Sequence, residues 1–381
     1  MTEIIMQQPP LTTEAFRVLS IDGGGIKGVY TAHLLAAIEE QRGQGKGIGE
    51  YFDMICGTST GAIIAAGIAA GKTARQIADE YDRFGPIIFP PENLWGLMVR
   101  NIRALFCSSK YDNKPLIETL ESITDGKRFS ESNNYLCIPV TVANSSHPRI
   151  YRTRHSAKHS WDDCKIADIA VASAAAPTFF PMVESPVSST THYADGGLFA
   201  NDPALIGLTE ALKIFVGEES ERNLFSCVDI LSVGSFPAPS VFRPQKGLNK
   251  LTDKEASRIR NQWRNKSVFG WMNIFPSGPP LVSLVLDVQS AHTRWIVGDL
   301  KKFIPHFRTY CRRDAANAKV GSTPIDEMTK MSIDDACPIA MKTMADRGKV
   351  DGLVAASEPE IMSFFKNPIQ PIQLIQNQTS K

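Results

Sequence analysis

A chain of 381 residues is long enough to bury a substantial core, as one large domain or two smaller ones. Its composition, 43% hydrophobic and 21% charged, is ordinary for a globular protein. A net charge of +1 gives no whole-molecule field to gather a nucleic-acid polymer, so affinity for a membrane or an anion has to come from local patches.

Residues 1–14 are polar with two prolines and read as a lead-in. They contain no basic segment followed by an apolar one, so no signal peptide is expected. Phe16 to Ile21 alternates and reads as a buried strand. It runs into Asp22-Gly23-Gly24-Gly25-Ile26-Lys27-Gly28. A helical pattern with Val29, Leu34, Leu35 and Ile38 on one side then ends in a loop at Gly43, Gly45 and Gly47. The unit repeats. Tyr51 to Cys56 is a short strand, Gly57-Thr58-Ser59-Thr60-Gly61 a sharp turn, and Ala62 to Ala70 a helix of small apolar residues. That alternation implies a parallel sheet covered by helices, with ligands at the carboxyl ends of the strands.

The second turn carries the G-x-S-x-G pattern of a nucleophile elbow. Ser59 stands at the apex, and Gly57 and Gly61 flank it where side chains would crowd a strained turn. The hydroxyl sits beside a helix N-terminus, which favours developing negative charge. Alone, the pattern is equally compatible with a glycine-rich turn holding an incidental serine. The first turn matches the dinucleotide fingerprint at Gly23, Gly25 and Gly28, but Asp22 would set a carboxylate against a pyrophosphate. A phosphate loop fails because Val29 stands where lysine is needed. An oxyanion hole of bare backbone N–H groups is the reading that fits a nucleophile elbow one unit later.

Thr73 to Arg83 reads as a helix with Ala74, Ile77, Ala78 and Tyr81 on one face. Phe84 to Tyr111 is apolar and proline-rich, compatible with a lid over lipid or with a helix packed on the core. Pro115 to Ile123 is a helix, Tyr135 to Val142 and Arg149 to Arg154 are strands, and Lys165 to Ala176 is a small-residue helix stopped by Pro177. Thr191 to Asp195 is a short strand, turned by Gly196 and Gly197. Beside an elbow serine and a glycine loop, Asp195 is a candidate base. Asp202 and Pro203 open a helix reaching Leu212, and Val228 to Val233 is a further strand. The seven cysteines are scattered and never spaced C-x-x-C, which points to a reducing compartment and away from structural zinc. The longest apolar run, after Gly61, is too short and glycine-broken to span a bilayer, so a soluble cytoplasmic protein is expected.

Four stretches in this order resemble the patatin-like phospholipases. They are the Asp22–Gly28 loop, the Gly57–Gly61 elbow, Ser173-Ala174-Ala175-Ala176-Pro177 with Thr178, Phe179, Phe180 and Pro181 behind it, and Asp195-Gly196-Gly197 with Asn201 and Pro203 beyond. The resemblance covers residues 16–235. It implies an α/β fold of three layers, α/β/α. It implies a Ser59–Asp195 dyad without histidine and an oxyanion loop at Gly23, Gly24 and Gly25. Gly28, Gly57, Gly61, Gly196 and Gly197 support the motifs, and neither cofactor nor metal is called for. Lys27 departs from the family, many of whose members carry arginine there. The histidines bear on the dyad independently. In hydrolase chain order a triad needs a histidine after the acid, and only His292 and His306 follow Asp195, neither near a glycine turn. His192 lies three positions from Asp195 on a strand, facing away. An exposed aspartate, with a pKa of about 3.9, is a weak base at neutral pH; burial near an apolar pocket would raise it. The chemistry implied is acyl transfer from a phospholipid ester through an acyl-serine.

Residues 236–381 lie beyond that resemblance and read as a helical, partly basic extension packed on the catalytic domain and available for regulation. Phe242 to Lys266 is rich in arginine and lysine, and Val268 to Phe275 is apolar and aromatic. The pair is compatible with docking on anionic lipid, with binding an anionic regulator, and with a solvated helix followed by a core loop. Leu281 to Leu300 and Ile339 to Ala355 look helical, and Asn367 to Lys381 looks disordered. Compact size, cytoplasmic character and a basic C-terminal third resemble the bacterial patatin-like effectors of cyclic-oligonucleotide antiphage signalling. That resemblance implies a cyclic dinucleotide activator and a membrane phospholipid substrate met at the inner face of the membrane. An ungated esterase or lipase is the alternative within enzymes; a non-catalytic lipid- or nucleotide-binding module is the alternative from another class. Homo-oligomerisation is left open.

Overall fold

The central strands are apolar on both faces, which requires cover on both sides. Phe16 and Val18 point into one core, Leu19 and Ile21 into the other, and further along the chain Val228 and Ile230 alternate with Leu231 and Val233 in the same way. The computed structural model describes residues 12–90, 109–156, 163–236, 281–315, 333–372 and 374. The lead-in (1–11), most of the expected lid (91–108), the basic and aromatic run (242–275) and the end of the tail (375–381) lie outside the described residues.

The chain forms β1 (Thr12–Ile21), α1 (Gly28–Arg42), β2 (Met54–Gly57), α2 (Thr60–Ala69), α3 (Ala74–Ile88) and α4 (Lys114–Thr124). It continues with β3 (Tyr135–Val142), β4 (His147–Arg152), α5 (Ile166–Ser173), β5 (Val183–Ser185), β6 (Ser188–Asp195) and α6 (Gly197–Ala200). Then come α7 (Ala204–Glu210), β7 (Phe225–Val233), α8 (Leu281–Phe303), β8 (Phe307–Arg313), α9 (Pro338–Ala356) and α10 (Pro359–Phe364). The eight strands make one sheet in the order β5-β6-β3-β2-β1-β7-β8, with β4 added to β3. The pairs β1–β2, β1–β7, β2–β3 and β7–β8 are parallel; β4 and β6 run antiparallel to β3. One layer above the sheet holds α1, α2, α3, α5 and α9; the other holds α7, the π turn Ala211–Phe215 and part of α8. The fold is the expected α/β/α sandwich with a helical C-terminal region.

One register feature positions the site. β2 stops at Gly57, just past its pairing of Cys56 with Cys137. β3 runs on, and from Val140 it takes β6 instead, pairing Val140 with Asp195. The chain therefore leaves β2 for the Ser59 turn where β6 delivers Asp195.

The structure departs from the expected elements in places. α3 runs on to Ile88, so the start of the expected lid is the last turn of a helix. A capping box at Thr73 and Gln76 fixes its start (2.9 and 3.1 Å), and burial of Ile88 and Phe89 fixes its end. The helix after Pro203 is α-helical only to Glu210 and then widens into the π turn. The C-terminal third supplies β8, a strand absent from the sequence reading, in register with β7 from Asp229↔Thr309 to Val233↔Arg313. Its arginines hid it. Arg308 and Arg312 look like surface charge in sequence, yet they pair with Asp229 and Asp22 in the fold. Part of the tail expected to be disordered is docked. The carbonyl of Asn367 accepts from Arg17, and the N–H of Ile369 donates to Glu50 (2.8 Å).

α9 lies on α1 through two glycines. A Cβ at Gly352 would stand 2.5 Å from the Leu34 carbonyl and 2.8 Å from the Ala37 methyl. Gly352→Val is therefore expected to lower unfolding free energy by about 1–3 kcal/mol, the usual cost of overpacking, as read by urea denaturation; unchanged stability would mean the helices do not pack as described.

Candidate active site

Ser59 sits between β2 and α2 with φ +54°, a left-handed conformation that costs a non-glycine residue roughly 1–3 kcal/mol. The surroundings hold it there. Gly61 explains the motif's spacing, since any Cβ on it would run into the carbonyls of Ile21 and Asp22. Gly57 ends β2, and Thr58 donates its hydroxyl to the Ala200 carbonyl (2.6 Å). The Ser59 N–H donates to the Ser173 hydroxyl (3.1 Å), which itself donates to the Pro139 carbonyl (2.7 Å). Ser173 opens the Ser-Ala-Ala-Ala-Pro stretch, so that stretch braces the elbow.

The Ser59 hydroxyl donates to Asp195 Oδ2 at 2.7 Å. The other oxygen, Oδ1, accepts the Gly197 N–H at 2.6 Å, and Gly196 donates to the Ser173 carbonyl (3.2 Å). Ser59 and Asp195 are 5% and 1% exposed, so the pair is shut away from bulk water. Burial pushes the Asp195 carboxyl up to about 7; the hydrogen bonds from Ser59 and Gly197 pull the other way and only partly offset it. Among the described residues, no histidine lines the cavity around the pair. His33 and His155 are engaged elsewhere, with Asp82 and Glu210.

The cavity, with about 50 Å³ of water-accessible space, is lined by Ile63, Phe84, Ile88, Phe179 and Phe180 among others, with Ser59 and Asp195 in its wall. Its walls are mostly hydrocarbon, so it suits an acyl chain better than a polar ligand.

Two amides of the glycine loop are already hydrogen-bonded. The Gly23 N–H is bonded to the Asn201 carbonyl (3.0 Å) and the Gly24 N–H to the Thr60 hydroxyl (3.1 Å). Both are occupied because the loop must be tied to its neighbours. Gly25, at φ +61°, lines the cavity and opens a single 3-10 turn, Gly25–Lys27. Thr60, also on the cavity wall, opens α2. First residues of helical turns have no intrahelical carbonyl for their N–H. Among the described residues these two amides take no hydrogen bond, so they join the glycine loop as candidate oxyanion donors; Thr60 lay outside the sequence reading because a backbone amide leaves no trace in the side-chain sequence. Gly28 follows as the first residue of α1. The carbonyl of Ile333, from the segment entering α9, accepts the Ile26 N–H (2.8 Å) and roofs the loop.

Lys27 is buried, and burial lowers its amine to about 8 against the pull of Asp287 and Asp334. Arg312 was missed altogether. It grips Asp22, the residue that opens the glycine loop, from a position 290 residues away in sequence.

The raised Asp195 pKa has a stability consequence whose sign is fixed. The folded state holds that proton more tightly than the unfolded chain, so stability falls as pH rises from about 4 to about 7 and levels off above. Asp195→Asn is expected to lose that part of the decline and to be no less stable than wild type at pH 8, as read by thermal melts across pH; a lower melting temperature at pH 8 would contradict the burial argument.

Comparison with known proteins completes the picture. A family model for patatin-like phospholipases matches residues 19–208. A Vibrio cholerae protein named cGAMP-activated phospholipase is 30% identical over 366 residues, 92% of this chain and 95% of that one. An Escherichia coli protein of the same name is 28% identical over 368 residues, 94% of each. A rice protein, Patatin-like protein 2, is 26% identical over 349 residues, 87% of this chain. Alignments of that length run through the C-terminal third, so the likeness extends well past the expected limit at residue 235. No described helix is long and apolar enough to cross a membrane. The chain belongs to the patatin-like phospholipase family and is a lipid acyl hydrolase.

Proposed function

We propose that the chain cleaves fatty-acyl esters of membrane phospholipids, with Ser59 as nucleophile and Asp195 as its base. The observation that carries this is the 2.7 Å hydrogen bond from Ser59 to a buried carboxylate at the wall of an apolar cavity. An acyl chain lying against Phe179 and Phe180 brings its ester carbonyl to Ser59. Ser59 Oγ attacks the carbonyl carbon, and its proton passes to Asp195 Oδ2. Negative charge collects on the former carbonyl oxygen, within reach of the Gly25 and Thr60 amides and the N-terminus of α2. The tetrahedral centre collapses, Asp195 returns the proton to the departing lyso-phospholipid oxygen, and the acyl-serine remains. Water then attacks that ester while Asp195 takes a proton from it. The fatty acid leaves, and Ser59 regains its hydrogen. Asp195 serves as acid and base in turn, which suits a pKa near neutrality better than an exposed aspartate's.

We further propose that a cyclic dinucleotide gates this activity, as part of antiphage defence at the inner face of the cytoplasmic membrane. The names of the Vibrio and Escherichia relatives support a nucleotide activator. The closed site supports a gate: the dyad is buried, and the Ile333 carbonyl stands over the glycine loop. In this reading residues 16–235 carry the chemistry and residues 236–381 carry control, with β8 and α8 reaching into the catalytic half.

Vesicles of phosphatidylethanolamine and phosphatidylglycerol are expected to release fatty acid when cyclic GMP–AMP is added, and Ser59→Ala is expected to release none. Release by Ser59→Ala would remove the dyad; release without nucleotide would leave the chemistry and remove the gate. In the activated enzyme kcat/KM is expected to rise with pH through an inflection near 7 as Asp195 loses its proton. A profile flat across that range would exclude Asp195 as the base.

A further inference from the structure

Arg312 lies on β8, outside every motif of the catalytic half, with its side chain 10% exposed. Its guanidinium forks onto Asp22, with Nη1 at 2.8 Å from Oδ1 and Nη2 at 2.6 Å from Oδ2. Nη1 also donates to Asp202 Oδ2 (3.1 Å) and to the Ser232 hydroxyl (2.7 Å), and Nε donates to Asp314 (3.3 Å). Arg294 completes the cluster on Asp314 (2.9 Å).

The two carboxylates that Arg312 joins begin the two segments bordering the nucleophile. Asp22 opens the glycine loop, and its N–H is fixed to the Val233 carbonyl (3.0 Å). Asp202 follows Asn201 and Ala200, and its Oδ1 accepts the N–H of Ala204, the first residue of α7 (2.9 Å). The segments meet where Gly23 donates to the Asn201 carbonyl (3.0 Å), and Ala200 accepts the hydroxyl of Thr58, the residue before Ser59. Remove the guanidinium and Asp22 and Asp202, with side chains 4% and 0% exposed, face each other without a shared cation. Two buried like charges repel strongly, so the segments would separate or one carboxyl would take up a proton. Separation moves the glycine loop, whose Gly25 lines the same cavity as Ser59, and a protonated carboxyl no longer holds the fork that fixes the loop.

We infer that Arg312 is a positioning residue for hydrolysis, the strut by which the C-terminal strand holds the glycine loop and the Asn201–Asp202 segment in the geometry the transition state needs. The role rests on the reading of Ser59 as nucleophile. It requires a planar fork. Lysine is a point charge that cannot satisfy both oxygens of Asp22 and Asp202 at once, so a lysine substitution is not conservative here.

The test compares wild type, Arg312→Lys and Arg312→Met. With cyclic GMP–AMP present it reads kcat and KM on vesicles and the rate at which a fluorophosphonate labels Ser59, and it also reads the melting temperature. Loss of a preorganised oxyanion donor costs about 10²-fold in kcat; both variants are expected to lose on that order in kcat and in labelling rate, with KM within about threefold of wild type. A folded Arg312→Met that melts lower but keeps wild-type kcat and labelling rate would reduce Arg312 to a structural ion pair and overturn the inference. Should neither Arg312 variant fold, Asp22→Asn keeps the acceptor's shape while weakening the fork. It is expected to lose kcat in the same way, and an unchanged kcat there overturns the inference too. Failure of the reagent to label wild type would remove the nucleophile, and with it the role given to Arg312; equal labelling of wild type and folded variants would remove only the latter.

Discussion

A carboxyl group buried against a serine hydroxyl is the constraint on which this site depends. Water is kept from Asp195, so its charged form is disfavoured and its affinity for a proton rises to the range where a base is useful. In the proposed mechanism the same burial is what would let a Ser59–Asp195 dyad do without histidine. In a triad the imidazole supplies a group that titrates near neutrality; here a carboxylate is brought to neutrality by its surroundings. The cost is borne by the fold. Ser59 is held at a positive φ, and Asp195 keeps two hydrogen bonds, from Ser59 and Gly197.

That arrangement follows from sheet topology. β2 is short, and β3 outlasts it, so β6 fills the place beside β3 and brings Asp195 to the end of β2. The small residues of α2 and α5 let both helices sit close over the sheet, where Ser173 ties the elbow to β3. Beneath the glycine loop, β8 closes the far side with a guanidinium shared among three carboxylates. The N-terminal and C-terminal parts are thus joined through one sheet, and a change in the C-terminal third has a short physical route to the glycine loop. α8 offers a second route, since Leu286 lines the cavity and Ser290 accepts from Asn201 (2.8 Å).

What could be read from the sequence was what the backbone forces locally. Gly61 has to be glycine because the end of β1 passes against it, and that need is written at a fixed distance from Ser59. The alternation of β1 and β7 is likewise local, because each strand is buried on both faces. What could not be read depends on partners distant in the chain. Arg312 acquires its meaning from Asp22 and Asp202, 290 and 110 residues away, and in sequence it is one of three arginines in a seven-residue strand. That the Gly23 and Gly24 amides are already bonded turns on which carbonyls and hydroxyls the fold brings to the loop. The docked stretch from Asn367 looked free because its anchors, Arg17 and Glu50, belong to the other end of the chain.

The central claim is that the reaction passes through an acyl group carried on Ser59. Its most direct test is the mass of the protein after acid quench during turnover of a phospholipid of known acyl composition, followed by peptide mapping. The account predicts a mass increase equal to one fatty-acyl group less a hydrogen, located on the peptide containing Ser59. Turnover with the Ser59 peptide unmodified and an acyl adduct on another residue would contradict it.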